Sequence, residues 1–199
     1  MHKNYFLFEK QITEIKPLLL GRQVNKVFTF QKNELVLELS EPKSIYIQIN
    51  ISSTYPHVLA KPVYKIRQTK YDLFNEILGQ TIYDINIRPF DKFITIDFDD
   101  CKWKLLFYGP SPNIFLIDSN GHQVNSFKSG KQVDDYFDIK SMDFRETNKS
   151  QFHNMIKTLG SEPAEKFLKS NFAALNNSLL AEISYRAKID LKENSLLST

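Results

Sequence analysis

The apolar positions change their period along the chain, and the changes mark out elements. From Tyr5 onward, Phe8, Ile12, Ile15 and Leu19 recur every three or four positions, the spacing of a helix that lays one stripe on a core. Gly21 ends that pattern. Pro17 lies within it and cannot donate a backbone hydrogen bond, which predicts a kink or a break into two short pieces. Three stretches of alternating polarity follow, QVNKVFTFQ, ELVLELS and SIYIQINIS, the last with Ile45, Ile47, Ile49 and Ile51 on one face. Period two predicts strands, and the short polar joints Lys32-Asn33 and Glu41-Pro42-Lys43 predict an antiparallel meander.

The order then repeats. Tyr71, Phe74, Ile77 and Leu78 predict a second helix stopped by Gly79, and TIYDINIRP, KFITIDFDD and KWKLLFYG predict three more strands. Placing Leu20-Gly21 over Leu78-Gly79 gives an offset of 58 residues that also pairs Val24 with Ile82, Val27 with Ile85, Ile47 with Leu105 and Ile49 with Phe107. A one-residue shift in the middle strand aligns Leu35, Leu37 and Leu39 with Ile94, Ile96 and Phe98. The offset points to two copies of one helix-plus-meander unit. Two sheets, each with one apolar face, predict an α+β protein built on a two-sheet antiparallel β-sandwich with flanking helices. NIFLIDSNGHQVNSF adds a hairpin that turns at Asn120-Gly121.

After Lys128 the periodicity fades in SGKQVDDYFDIKSMDFRETNKS, and helical spacing then returns. Phe152, Met155, Ile156 and Leu159 share a face before Gly160; Ser161 and Pro163 open a second helix as cap and first-turn residue; Leu179, Leu180 and Ile183 face inward on a third that ends near Ala187. The predicted organisation is a sandwich domain over 1–130, a linker over 131–149 and a helical module over 150–199.

Composition narrows the classes without choosing among them. Of the 199 residues, 42% are hydrophobic and 25% charged, enough for a core, and the net charge of +3 permits phosphate contact without requiring it. The single cysteine, Cys101, excludes an internal disulfide or a Cys-based zinc finger and suits inert packing in a reducing compartment. MHKNYFLFEKQ lacks the features of an export signal, and no apolar run reaches bilayer length, so the expectation is a cytoplasmic chain with no membrane partner. His2, His57, His122 and His153 are scattered without ligand spacing, which predicts no metal and no cofactor. The acidic run Asp97, Asp99 and Asp100 reads as a solvated turn rather than a pair of catalytic carboxylates. Most aromatics fall at core positions; exposed ones such as Tyr46 could stack on bases.

Two resemblances give these parts a context. NNSLLAEISYRAKI, Asn176 to Ile189, resembles the helix-two-turn-helix of the formamidopyrimidine-DNA glycosylases through Asn177, Glu182, Tyr185-Arg186-Ala187 and Ile189. LLLGRQVNKVFTFQKNELVLEL, YPHVLA, FDKFITIDF and YGPSPNIFLID resemble, in that order, the N-terminal domain of the NFACT proteins, known in bacteria as RqcH or fibronectin-binding protein A. The resemblance implies a glycosylase-like fold ending in a helix-two-turn-helix module. It also implies a part in ribosome quality control: binding of tRNA and of the large ribosomal subunit that carries an obstructed peptidyl-tRNA, in support of alanine tailing. Full-length members continue into a coiled coil and a further RNA-binding domain, so the expectation is a fragment or a short member. The glycosylase alternative is a nucleic-acid-binding protein without lyase chemistry, since His2 and Lys3 stand where those enzymes use a proline and a glutamate. The expectation is therefore a protein that is not an enzyme, with a fibronectin-binding adhesin as the other alternative.

The resemblance also implies site residues. Asp91-Lys92 matches an Asp-Arg pair implicated in tRNA binding, although lysine lacks the planar fork of arginine, and an ordinary polar turn is the competing account. Asn113 belongs to GPSPN, Gly109 to Asn113, where a structural turn comes first and tRNA contact second. Asn176, Asn177 and Ser178 open a helix whose free amides can take a phosphate, with Lys169, Arg186 and Lys188 adding charge. Asn177 can instead cap its own helix, and the two roles are compatible.

Overall fold

A computed structural model describes residues 5–40, 43–65, 71–107, 112–129, 148–157, 163–172 and 175–192. These residues fall into two compact units, a sandwich and a helical group with which Pro89–Asp91 is counted, each taken by itself below. The stretch expected to link them lies almost wholly outside the described residues, as do Leu159, Gly160, Ser161 and Gly109 to Ser111.

The sandwich contains α1 (Tyr5–Leu19), β1 (Val24–Gln31), β2 (Glu34–Leu39), β3 (Ile45–Asn50), β4 (His57–Lys61), β5 (Tyr71–Asp72), β6 (Asp84–Ile87), β7 (Phe93–Asp97), β8 (Cys101–Leu106), β9 (Asn113–Asp118) and β10 (Gln123–Ser126). They form two antiparallel five-stranded sheets, ordered β4-β3-β2-β1-β5 and β10-β9-β8-β7-β6. Leu35, Leu37, Leu39, Ile47 and Ile49 of the first sheet meet Ile94, Ile96, Trp103 and Leu105 of the second in one core. α1 packs against β4 and β6, one from each sheet. Its Phe8 ring lies 4.5 Å from that of Phe107, and its Gln11 side chain accepts the Val58 amide of edge strand β4 at 3.2 Å. Such a contact occupies part of an edge that would otherwise invite pairing with another chain.

Pro17 does not break α1, which runs unbroken to Leu19. It stands in the last turn, where the missing donor removes one hydrogen bond close to an end that frays in any case. The expected second helix is absent: Tyr71 and Asp72 pair with Thr29 and Phe28 as strand β5, and only Asn75–Ile77 form a 3-10 turn. Phe74 takes a left-handed conformation at φ 51°, which stops helix propagation, while Phe74 and Ile77 still reach the core. Strand β4 had no place among the predicted elements.

The offset of 58 reappears as hydrogen bonding. Gly21 N donates to Ile82 O at 2.9 Å and Gly79 N to Val24 O at 2.8 Å; Ile82 N donates to Arg22 O at 2.9 Å and Val24 N to Gln80 O at 3.0 Å. Adding 58 to one partner of each bond, and subtracting it from the other, turns one bond of each pair into its mate. Gln23 and Thr81 bridge at the centre, so the two meanders are related by a local twofold through that bridge. Gly21 and Gly79 turn the chain into it at φ 77° and 79°, a conformation that side chains disfavour. The side chains of Ser40 and Asp99, 59 residues apart because of the one-residue shift of the middle strand, accept the amides of Gln23 and Thr81.

The helical group consists of α2 (Lys149–Lys157), α3 (Ala164–Asn171) and α4 (Asn177–Ala187). Ala164, Phe167, Leu168, Phe172, Leu180 and Leu191 make a small core of their own. α3 starts one residue after Pro163, which stands at the cap rather than in the first turn. α4 ends in a Schellman motif: Lys188 N bonds Tyr185 O at 3.3 Å, Ile189 N bonds Ser184 O at 3.1 Å, and Lys188 takes the left-handed position at φ 55°.

Candidate nucleic-acid interface

At the start of α4 the capping residue is Asn176, not Asn177. Its Oδ1 accepts the Leu179 amide at 3.0 Å, and its carbonyl accepts Leu180 N at 3.0 Å. Asn177 and Ser178 are exposed in the first turn, and their amides meet no acceptor among the described residues. The paired asparagines therefore divide the work, one closing the helix and the other standing beside open donors at the positive end of the dipole. Arg186 lies nine residues further on, about 13 Å along the axis, and its Nε bonds Glu182 at 2.6 Å. Lys169 is paired with Glu165. Both pairs are partly or fully exposed and exchange readily with other partners.

The second locus is one end of sheet two. β6 and β7 are joined by a tight turn in which Arg88 N donates to Phe93 O at 2.8 Å, and the Lys92 carbonyl accepts Phe107 N at 3.1 Å. Phe90 occupies the left-handed region at φ 57°, unfavourable by about 1 kcal/mol or more for an aromatic residue, and is buried. Asp91 is 8% exposed, so the turn is not the solvated polar bend that its sequence suggests. Lys92 on one stem and Arg88 on the other are half-buried, with the Arg88 guanidinium 4.6 Å above the Phe93 ring. Sequence reasoning missed Arg88. It stands in RPFDK, and only the hairpin shows that it belongs to the same turn as Lys92.

Register places Phe93 opposite Leu106 and Leu106 opposite Asn113, so Asn113 and the Lys92 turn share this end of the sheet. Neighbouring strands lie about 4.8 Å apart, which sets Asn113 about 10 Å from β7. Its side chain is engaged with backbone. Nδ2 donates to Lys128 O at 2.9 Å, and Oδ1 accepts Ile114 N at 2.9 Å and Lys128 N at 2.8 Å. Asn113 clasps the strand that follows the Asn120-Gly121 turn and brings Lys128 to the same end. Burial, with Lys32 nearby as the smaller cause, holds the Lys128 ammonium below its usual range. The result is a basic edge at this end of sheet two, with Arg88 and Lys92 on one side and Lys128 on the other, two to three strands away; Lys32, in the turn between β1 and β2 of the first sheet, acts on Lys128.

Among the described residues, no cluster of three or more His, Cys, Asp or Glu side chains could hold a metal ion, and no helix is long and apolar enough to cross a membrane. No family model and no curated protein matches this sequence. Solved structures share its fold, three of them as follows. The N-terminal domain of fibronectin-binding protein PavA from Streptococcus pneumoniae superposes with a TM-score of 0.71 at 16% identity, over 92% of this chain and 78% of that one. The N-terminal part of the fibronectin/fibrinogen-binding protein from Streptococcus suis gives 0.69 at 16% identity, over 94% and 80%. The fibrinogen-binding protein from Staphylococcus aureus gives 0.69 at 16% identity, over 96% and 79%. The chain thus has the α+β two-sheet fold seen in the N-terminal domains of fibronectin-binding proteins, at 16% sequence identity.

Proposed function

We propose that this chain is a non-enzymatic RNA-binding module of a ribosome-rescue factor, which contacts tRNA and the large ribosomal subunit in the cytoplasm. The observation that carries the reading is the basic edge of sheet two. Arg88 and Lys92 flank a buried, left-handed turn at the position where the NFACT resemblance implies tRNA contact, and Asn113, about 10 Å away across the same end of the sheet, holds the Lys128 backbone. Cations spread along one sheet end over about 10–15 Å suit a phosphate backbone, and Arg88 supplies the planar guanidinium that Lys92 lacks. In this arrangement Asp91 and Asn113 position the turn and the hairpin, while Arg88, Lys92 and Lys128 meet the RNA. Asn177 and Ser178 offer a separate phosphate contact through their open amides.

The test is binding of tRNA and of large subunits by the intact chain across a salt series. Each phosphate contact contributes about 0.7–0.9 to the slope of log affinity against log salt, so replacing both Arg88 and Lys92 with alanine lowers the slope by roughly 1.5. Salt-independent binding, or none, refutes the reading. Incubation with lesion-bearing duplex and borohydride is expected to trap nothing; a covalent adduct would overturn the non-enzymatic assignment. The names of the three structural neighbours favour a second reading, capture of fibronectin or fibrinogen. Saturable binding to immobilised fibronectin that survives Arg88→Ala/Lys92→Ala would support it.

A further inference from the structure

The outer face of the first sheet carries an aromatic cluster that the sandwich core leaves unused. Phe28, Phe30 and Tyr46 lie on it, and Tyr64, from the segment after β4, packs against them with ring centroids 6.2, 6.3 and 5.9 Å away. The Tyr64 hydroxyl donates to Glu34 Oε1 at 2.6 Å, and the other oxygen of that carboxylate accepts Gln48 Nε2 at 2.5 Å. Glu34 is only 5% exposed, so its charge lies beneath the ring rather than at the surface. Held in this way, the Tyr64 plane is within 5° of the Phe30 plane, and Lys61 Nζ sits 5.5 Å from the Tyr64 centroid. Phe30, Gln31, Lys61, Val63, Tyr64 and Lys65 line a cavity of about 260 Å³.

We propose that this groove takes an unpaired base of a single-stranded RNA segment, with the neighbouring phosphates on Lys61 and Lys65. Two parallel rings give a third planar ring one shared orientation, and flanking ammonium groups suit the anions on either side of a base. The cavity falls below the range of about 300–1,000 Å³ typical of self-sufficient small-molecule sites, which favours one base of a polymer over a free nucleotide. Gln31 at its rim is followed by Lys32 in the turn between β1 and β2, a further cation on the same sheet. The inference extends the RNA reading to a second face of the same unit, and its test separates the two.

The intact chain is titrated with labelled oligoadenylate and with the same ribose-phosphate backbone carrying no bases. Wild type is expected to bind the base-bearing strand about tenfold more tightly, the yield of stacking one base on an aromatic platform. Phe30→Leu abolishes that ratio. Val63→Asp, at a position 78% exposed and so harmless to folding, lowers it as well by placing a carboxylate at the mouth of the groove. Lys61→Gln/Lys65→Gln keeps the ratio but lowers the salt slope by about 1.5. Fluorescence of the buried Trp103 verifies the fold of each variant. Equal wild-type affinity for the two strands overturns the proposal, as does an unchanged ratio in folded Phe30→Leu or in Val63→Asp. Effective competition by adenosine monophosphate overturns the assignment to a polymer. Retained tRNA binding with no dependence on bases removes this groove alone, whereas loss of all RNA binding in wild type removes the RNA reading with it.

Discussion

Replacing Asn113 with alanine tests the clasp that builds the basic edge. The side chain is 2% exposed and makes three hydrogen bonds to backbone, at 2.9, 2.9 and 2.8 Å. Each such bond contributes about 1 kcal/mol net, and buried partners left unsatisfied cost at least as much again. Water can reach half-buried Lys128, and Ser126 Oγ still serves its carbonyl at 3.0 Å, so the expected loss is about 2–3 kcal/mol rather than the full sum. Ser126→Ala, which removes that single bond, should cost about 1 kcal/mol or less. Trp103 is the only tryptophan and lies in the sandwich core, so its fluorescence in urea follows this unit. A loss below about 0.5 kcal/mol for Asn113→Ala, the size of an ordinary surface change, would refute the reasoning.

Three further outcomes follow from the same geometry. In the helical group, Asn176→Ala should destabilise α4 by about 1 kcal/mol while Asn177→Ala leaves it nearly unchanged, and Lys188→Gly should stabilise it by up to about 1 kcal/mol by relieving the left-handed lysine; thermal unfolding followed by far-UV dichroism measures all three. Burial is the main influence that pulls the His57 pKa below 6.5, while its ring bonds the Tyr55 carbonyl at 2.9 Å and its buried Nε2 meets no partner among the described residues. Unfolded chain then binds the extra proton first, so wild type should lose stability relative to His57→Gln as pH falls through about 6.5, with a slope well under the one-proton maximum of about 1.4 kcal/mol per pH unit because part of the ring stays in water. Burial pushes the Cys101 thiol up to about 11, and iodoacetamide at neutral pH should modify it about two orders of magnitude more slowly than a free cysteine thiol; mass spectrometry over time measures the rate.

The sheets were legible because alternation encodes a strand locally: each residue of ELVLEL shows its face without reference to any partner. The same holds for the offset of 58, since the glycines at the bridge and the apolar residues beyond it are set by backbone geometry and burial repeated twice. The polar start of α4 was legible as a helix entry, though not which asparagine caps it, because adjacent residues of equal capping propensity are separated only by where the helix begins.

Tertiary structure decided the rest, wherever a residue's role depends on a neighbour distant in sequence. Tyr71 and Asp72 follow a helical spacing, yet the free edge of β1 captures them as a strand, a pairing whose hydrogen bonds a short helical stretch could not match. Asp91 and Asn113 are polar residues in loop-like contexts; packing buries the first, and the hairpin engages the second, so neither is the simple surface contact that its sequence suggests. Arg88 joined the candidate interface only through the register of β6 and β7, and the Phe30–Tyr64 groove exists only because the chain after β4 lies on the outer face of the sheet. Periodicity records which side of an element is buried. Which elements meet, and therefore which charges and rings converge, is a property of long-range pairing that no local window contains.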